Sequence, residues 1–577
     1  MVPYATLRLR LFPHLRWGFA NYSIKERVSM KLNLYPWQKD CLEQWFRRGG
    51  RGIVQAVTGA GKTVLALTAA QQLNRKLRQN LRVKIVVPTK ALQRQWEQAL
   101  KTFFFVSPGE ISLMGDGHSA VSGRPYTICL IQSARYRLAR QILGELREGR
   151  NVLMLADECH HYASGQNRLI FEFLSRISER NAGASQGRFY SLGLTATLPE
   201  GEDREYLCSV LGPELYTYSL RQAAGERRIC EYDLFHISLH FTPEEQEEYR
   251  QLSDQMASLY RRLSRKLPGL SSSGQRDRFS LLRHAAAGRR DELSRAALLY
   301  LQLSYKRKNL VCLASDRIQA ACALIERLPP GRQLLVFGER IRQAEELYKI
   351  LKQMYPQQIA CFHSQNGALA NHNALERFRR REVRILIACK SLDEGLDLPD
   401  LSAALILSGT SSQRQRILRL GRILRNTAGK EAASLYYFHV EESNEEREFL
   451  PDGVTRRIFD LEYDGRTLRH PAYDRAAAAL LAQVRQRQIP RAFLTETERC
   501  LNTGSVLGDW MLSAEELEQR LEEAADRRQR NYWFCMRRLG QFTCGTETPS
   551  FSYPPAQHPE PYKKHPSSKG IQQHPDF

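Results

Sequence analysis

Short apolar runs alternate with longer amphipathic stretches over the first third of the chain. Lys84-Ile-Val-Val87, Thr127-Ile-Cys-Leu-Ile131, Val152 to Ala156 and Tyr190-Ser-Leu-Gly-Leu194 read as strands, with helical sequence between them. Runs this apolar lack a polar face, so the strands are expected to be covered on both sides, as in a parallel α/β sheet. The pattern then changes. Phe241-Thr-Pro-Glu-Glu245 carries a threonine cap, proline at the first helical position and glutamate at the third, which is a capping box. Tyr249, Leu252, Met256, Leu259 and Leu263 follow at steps of three and four, Pro268-Gly269 and Ser271 to Gly274 interrupt, and Leu293, Ala297, Tyr300 and Leu303 resume the period. These segments predict a helical arm.

Strand and helix alternate again from about Val311 to Val440, with apolar runs at Leu334-Leu-Val-Phe337, Ile359-Ala-Cys-Phe362, Ile385-Leu-Ile-Ala388, Ala403 to Leu407 and Leu435 to Phe438. Beyond Glu441 the sequence is charged and helical, as in Asp474 to Arg487 and Ser513 to Arg530, and from about Thr546 it is rich in Pro, His, Ser and Lys. The expected organisation is therefore a basic N-terminal arm (1–30), an α/β domain (31–222), a helical arm (223–310), a second α/β domain (311–440), a mainly helical C-terminal region (441–545) and a disordered tail (546–577). Met30 offers an alternative start, because the recognisable pattern begins just after it.

Composition narrows the class. Lys and Arg number 85 against 62 Asp and Glu, a formal charge of +23, which favours a polyanionic partner such as nucleic acid. The basic clusters Arg261-Arg262, Arg265-Lys266 and Lys306-Arg-Lys308 leave the arm open to two readings, a spacer or a grip on nucleic acid. Twelve cysteines stand singly, without zinc spacing, and suggest reduced thiols and a cytoplasmic setting. No apolar stretch approaches the roughly 20 residues that span a bilayer, so no membrane partner is expected.

The chemistry is concentrated in two strings. Ala56-Val-Thr-Gly-Ala-Gly-Lys-Thr63 places a Gly-rich turn between a short strand and a helix, where successive backbone N–H groups can cradle phosphate oxygens. Thr58, Gly59, Ala60 and Gly61 form that cradle, Lys62 would hold the β- and γ-phosphates, and Thr63 a Mg²⁺ ion. The run Val152 to Ala156 ends in Asp157-Glu158-Cys159-His160; Asp157 would bind the metal and Glu158 would position the attacking water. ATP and Mg²⁺ are thus the expected cofactors. Arg419, Arg422 and Arg425 are spaced by three and would share one broad face of a helix, either reaching together across a cleft or facing solvent.

Further strings fall in a fixed order: Leu34-Tyr-Pro-Trp-Gln38, the phosphate loop, Val87-Pro-Thr-Lys-Ala-Leu92 with Gln95-Trp96, Ile131-Gln-Ser133, Asp157 to His160, Thr195-Ala-Thr197, Leu335-Val-Phe337, Cys389 to Pro399 and Arg419 to Arg425. Together they resemble the superfamily 2 helicases of the DEAD/DEAH type, and are most similar to the branch of XPB-like translocases and restriction-enzyme motor subunits (ResIII type). The resemblance covers roughly Leu34 to Val440 and implies two tandem RecA-like domains in an α/β fold. It implies that Gln38 reads the adenine edge, that Gly395 and Asp397 touch the nucleotide from the second domain, and that Arg422 and Arg425 are arginine fingers. Thr195 and Thr197 would couple hydrolysis to domain movement. Nucleic acid would lie against Thr89, Lys90, Gln132 and Ser133 on one side and His363, Ser364 and Cys389 on the other, mainly through its phosphates. Cys389 stands where many RNA-directed relatives carry threonine, which favours DNA. An RNA helicase, or an ATP-switched clamp with little turnover, are the alternatives. No nuclease pattern occurs in the C-terminal part, so any cutting would fall to a nuclease or another repair or defence partner.

Overall fold

A computed structural model describes residues 34–121, 123–174, 187–226, 228–271, 275–288, 291–328, 331–389, 401–408, 432–445, 454–486, 491–503 and 509–543. The N-terminal arm, Gly395, Asp397, Arg419, Arg422, Arg425 and the C-terminal tail lie outside them.

The first sheet has seven strands: β1 (Arg51–Ala56), β2 (Leu81–Val87), β3 (Ile111–Met114), β4 (Tyr126–Leu130), β5 (Asn151–Asp157), β6 (Phe189–Thr195) and β7 (Glu214–Tyr218). They lie in the order β3-β4-β2-β5-β6-β1-β7, every pair parallel. The interior strands are mostly apolar because helices cover both faces, with Lys84, Thr127 and Ser191 buried among the apolar residues. Trp37, Trp45 and Trp96 are buried beneath those helices. Each withdraws enough apolar area for about 4–6 kcal/mol of transfer free energy, before the entropy of ordering is charged against it.

Parallel strands share one direction, so their carboxyl ends fall along a single edge. The pairings Gln55↔Thr195, Asp157↔Leu194 and Val87↔Leu130 set the ends of β1, β5, β6, β2 and β4 side by side there. Loops at such an edge are where open α/β sheets bind ligands.

The second sheet contains β8 (Glu231–Leu239), β9 (Leu334–Gly338), β10 (Ile359–Phe362), β11 (Ile385–Cys389), β12 (Ala403–Ile406) and β13 (Ala432–Val440), ordered β10-β11-β9-β12-β13-β8 and again parallel. β8 falls within the span 223–310 that the sequence pattern gives to the helical arm. It is instead a full strand, paired with β13 from Glu231↔Ala432 to Leu239↔Val440. Its polar residues hid it: Asp233, His236 and Ser238 are all buried, and Asp233 is held by the guanidinium groups of Arg456 and Arg457 at 2.8 Å each. Those arginines sit at the start of β14 (Thr455–Tyr463), beside β8. Strand β14 also lies in a region read as helical.

The arm proper consists of the helices Pro243–Lys266, Gln275–Ala286 and Glu292–Cys312. Thr242 and Glu245 cap the first reciprocally, and Leu252, Met256, Leu259 and Leu303 seal it to the last. A separate compact unit comprises residues 323–328 and 460–577. It holds the second half of β14 paired with β15 (Leu468–Arg469) and the helices Pro471–Gln486, Arg491–Thr503, Ala514–Glu522 and Arg527–Thr543, with Leu480, Trp510, Leu517 and Met536 buried.

Candidate functional site

The phosphate loop leaves β1 and turns into the helix Lys62–Lys76 through two glycines with left-handed backbone, Gly59 at φ 86° and Gly61 at φ 91°. A side chain at Gly61 would meet Gln38 Nε2 at 2.8 Å, so this glycine answers both a conformational and a spatial demand. Gln38 is buried; its amide donates to the Gly61 carbonyl at 3.0 Å and its oxygen accepts from the Tyr35 N–H at 2.9 Å. Before it could read a nucleobase, Gln38 therefore ties the preceding segment to the loop. Lys62 Nζ donates to the Ala56 carbonyl at 2.9 Å, a neutral acceptor that an anion would outcompete.

Asp157 closes β5 and is buried. Burial and the adjacent Glu158 charge push its carboxyl up to about 7, while the Trp96 hydrogen bond and the Lys62 charge act in the opposite direction. Trp96 Nε1 donates to Asp157 Oδ2 at 2.7 Å, and the Glu158 N–H donates to Oδ1 at 3.1 Å. Glu158 has φ 47° and ψ 51°, a left-handed conformation that costs a non-glycine residue roughly 1–2 kcal/mol.

Thr195 extends the network. Its hydroxyl donates to the Thr197 carbonyl at 2.8 Å, which uses its one proton, so at 2.9 Å it must accept from His160 Nδ1–H. The same His160 nitrogen lies 3.5 Å from Glu158 Oε2. His160, Thr195 and Thr197 are thus hydrogen-bonded in series at the carboxyl end of β6, with the Glu158 carboxylate lying beside His160. The structure brings Lys62, Asp157, Glu158, Thr195 and Thr197 to a common edge. The linking roles of Trp96 and His160 were not legible in the sequence, because a tryptophan at helical spacing reads as core and a histidine after an acidic pair has no assigned partner.

The donor set fits a nucleoside triphosphate with a divalent cation. Thr58 Oγ1 is buried without a hydrogen-bond partner, and Glu158 Oε2 accepts no hydrogen bond. Thr63 follows Lys62 in the first turn of its helix. Hard cations prefer such hydroxyl and carboxylate oxygens.

Of the residues expected to meet nucleic acid, Thr89, Lys90, Gln132 and Ser133 occupy the same edge, displaced toward β2 and β4. Thr89 caps the helix Lys90–Phe103 by accepting from the Leu92 N–H, and Lys90 is paired with Asp116. Gln132 is exposed and Ser133 half-buried at the start of the helix Ile131–Arg147. In the second sheet, His363 is buried after β10 with Nε2 3.5 Å from Glu345, Ser364 is exposed, and Cys389 is buried at the end of β11. Among the described residues, no helix is long and apolar enough to cross a membrane.

Residues 31–200 match the family model of the type III restriction enzyme res subunit, and residues 316–427 that of the helicase conserved C-terminal domain. The chain is 28% identical over 400 residues to the DNA 3'-5' translocase XPB2 of Sulfurisphaera tokodaii, covering 69% of this chain and 80% of that protein. It is 24% identical over 522 residues to the general transcription and DNA repair factor IIH helicase/translocase subunit XPB of Antonospora locustae, covering 88% of this chain and 63% of the relative. It is also 24% identical over 399 residues to the DNA 3'-5' helicase XPB of Mycobacterium tuberculosis, covering 68% and 58%. The chain therefore spans most of the first of these relatives and less than two thirds of the other two.

Proposed function

The chain belongs to the superfamily 2 helicases, on the branch shared by XPB-like proteins and restriction-enzyme motor subunits, and from that premise we propose that it is a DNA-dependent ATPase that uses hydrolysis to move along or remodel DNA. The observation that supports the reading is that the glycine-rich turn, the acidic pair and the threonine motif share one sheet edge. Lys62 lies close enough to act electrostatically on Asp157, and His160 is hydrogen-bonded to Thr195 at 2.9 Å with Glu158 Oε2 3.5 Å away.

In this mechanism Lys62 leaves the Ala56 carbonyl for the β- and γ-phosphates of ATP, and the loop from Thr58 to Gly61 supplies backbone N–H groups. Thr63 and Asp157 are the residues that would hold Mg²⁺, which supplies charge neutralisation between the phosphate oxygens when bound. Trp96 keeps Asp157 oriented by donating to Oδ2. Glu158, aimed by its left-handed backbone, orients the attacking water and accepts its proton. A change in charge at Glu158 is felt by His160 and passed to Thr195 and Thr197. Arg422, Arg425, Gly395 and Asp397 are proposed to complete the site from the second domain, by the family resemblance of their motifs. Thr89, Lys90, Gln132, Ser133, His363, Ser364 and Cys389 are proposed to face the DNA. Repair, restriction or phage defence, with a nuclease or other partner protein, are the settings such a motor suits.

The test is steady-state ATPase activity of wild type and Glu158→Gln with no nucleic acid, duplex DNA, single-stranded DNA or RNA, each across a salt series. DNA stimulation that disappears in the variant and weakens with salt is the expected result. Stimulation by RNA alone would replace the DNA assignment, and turnover unchanged in Glu158→Gln would refute the site.

A further inference from the structure

The helix Ile131–Arg147 buries Ile131, Ala134, Leu138, Ile142 and Leu146 against the first sheet. Its opposite face is unlike an ordinary solvated one. Gln132, Tyr136, Arg137, Arg140 and Arg147 are all exposed, and Ser133 and Arg137 fall on the row that continues through Arg140 to Arg147 at steps of three and four. Tyr136 is 64% exposed, among the most exposed large side chains of the described residues. Arg137 reaches only the Ser119 hydroxyl, at 3.5 Å, and none of Arg137, Arg140 and Arg147 is ion-paired within the described residues. Elsewhere exposed arginines are commonly matched, as Arg250 is with Glu247 and Asp254, and Arg262 with Glu292. At Gly144, on the same row, there is open space.

We propose that this face is a phosphate-binding track for duplex DNA, extending the contact proposed at Gln132 and Ser133 along the whole helix. Three observations carry it. The face begins at the carboxyl end of β4, where the proposed DNA contacts already lie. Its side chains are all of the types that bind backbone phosphates, namely Arg, Tyr, Ser and Gln. Three unpaired cations in one row, without an intervening carboxylate, complement a polyanion. From Ser133 to Arg147 the row is about 21 Å long, comparable to roughly six base pairs of axial rise. That is too long for one phosphate and suits a straight duplex flank. Contacts of this kind carry no sequence preference and release counterions, so the track would add grip and processivity to the motor without adding specificity.

The inference rests on the proposed DNA-dependent activity, and the experiment separates the two. Binding of the full chain to a labelled duplex of about 30 base pairs is measured across a salt series with a non-hydrolysable ATP analogue present. Arg137→Gln/Arg140→Gln/Arg147→Gln should flatten the plot of log affinity against log salt by about 2–3 units and weaken binding roughly tenfold or more at low salt. The corresponding Arg→Lys triple should retain both. Affinity for the ATP analogue serves as the fold control; should the triple variant lose it, Arg140→Gln alone should still flatten the plot by about one unit. An unchanged slope would overturn the track. So would loss of affinity for oligo(dT) with duplex binding unaltered. A wild type that shows no salt-dependent DNA binding would overturn the DNA assignment itself, and the track with it.

Discussion

Burial beside Glu158 makes the ionised Asp157 carboxylate costly, and Asp157→Asn measures by how much. Its carboxyl is raised from 3.8 to about 7 by burial and by Glu158. Because the folded-state value lies above the unfolded one, the folded protein binds the proton more tightly, and the related stability is present below about pH 4 and lost as pH rises through about 7. Carried through the linkage relation, that displacement amounts to a few kcal/mol lost by pH 8, and a smaller part of it lost by pH 5. Asparagine cannot ionise, yet its carbonyl can still accept from Trp96. In EDTA without nucleotide, Asp157→Asn should therefore raise the melting temperature of the first domain by roughly 10 °C at pH 8, taking about 2–4 °C per kcal/mol for a domain of this size, and by less than half of that at pH 5. Mg²⁺ and ATP should narrow the difference, since they stabilise wild type by binding it. Differential scanning calorimetry decides the matter: a variant no more stable than wild type at pH 8, or a gain that does not shrink at pH 5, would refute the reasoning.

The buried pair of Lys84 and Glu145, 2.6 Å apart beneath the first sheet, gives a second test. Lys84→Met alone should cost about 3–5 kcal/mol in a urea melt, while Lys84→Met/Glu145→Leu should recover most of it, because the penalty comes from the orphaned charge. Gly61→Ala forces a side chain onto a backbone at φ 91° and to within 2.8 Å of Gln38 Nε2; a loss of about 1–2 kcal/mol of stability and a marked weakening of fluorescent ATP-analogue binding are expected. His160→Ala removes the ring that bonds Thr195 and lies beside Glu158; DNA-stimulated kcat should fall roughly tenfold, the equivalent of about 1.4 kcal/mol, with KM for ATP within about twofold, as read from ATPase kinetics with and without duplex.

The chain's local patterns were enough to determine two parallel α/β halves, a capped amphipathic arm and the places of the glycine-rich turn and the acidic pair at strand ends. Those features depend on contiguous residues: an apolar run too short for a helix, a threonine three residues before a glutamate, glycines before a lysine. What only the tertiary structure decided is how separate strings meet. Trp96 and Asp157 are 61 residues apart and joined by one hydrogen bond, and His160 and Thr195 are joined across 35. Neither partner reveals the other, because a side-chain hydrogen bond between elements distant in the chain leaves no periodic trace in sequence. The same holds for β8, whose buried Asp233 broke the apolar pattern and became acceptable only when Arg456 and Arg457, more than 220 residues later, closed over it. A buried charge is tolerable solely through its partner, and the fold alone supplies that partner.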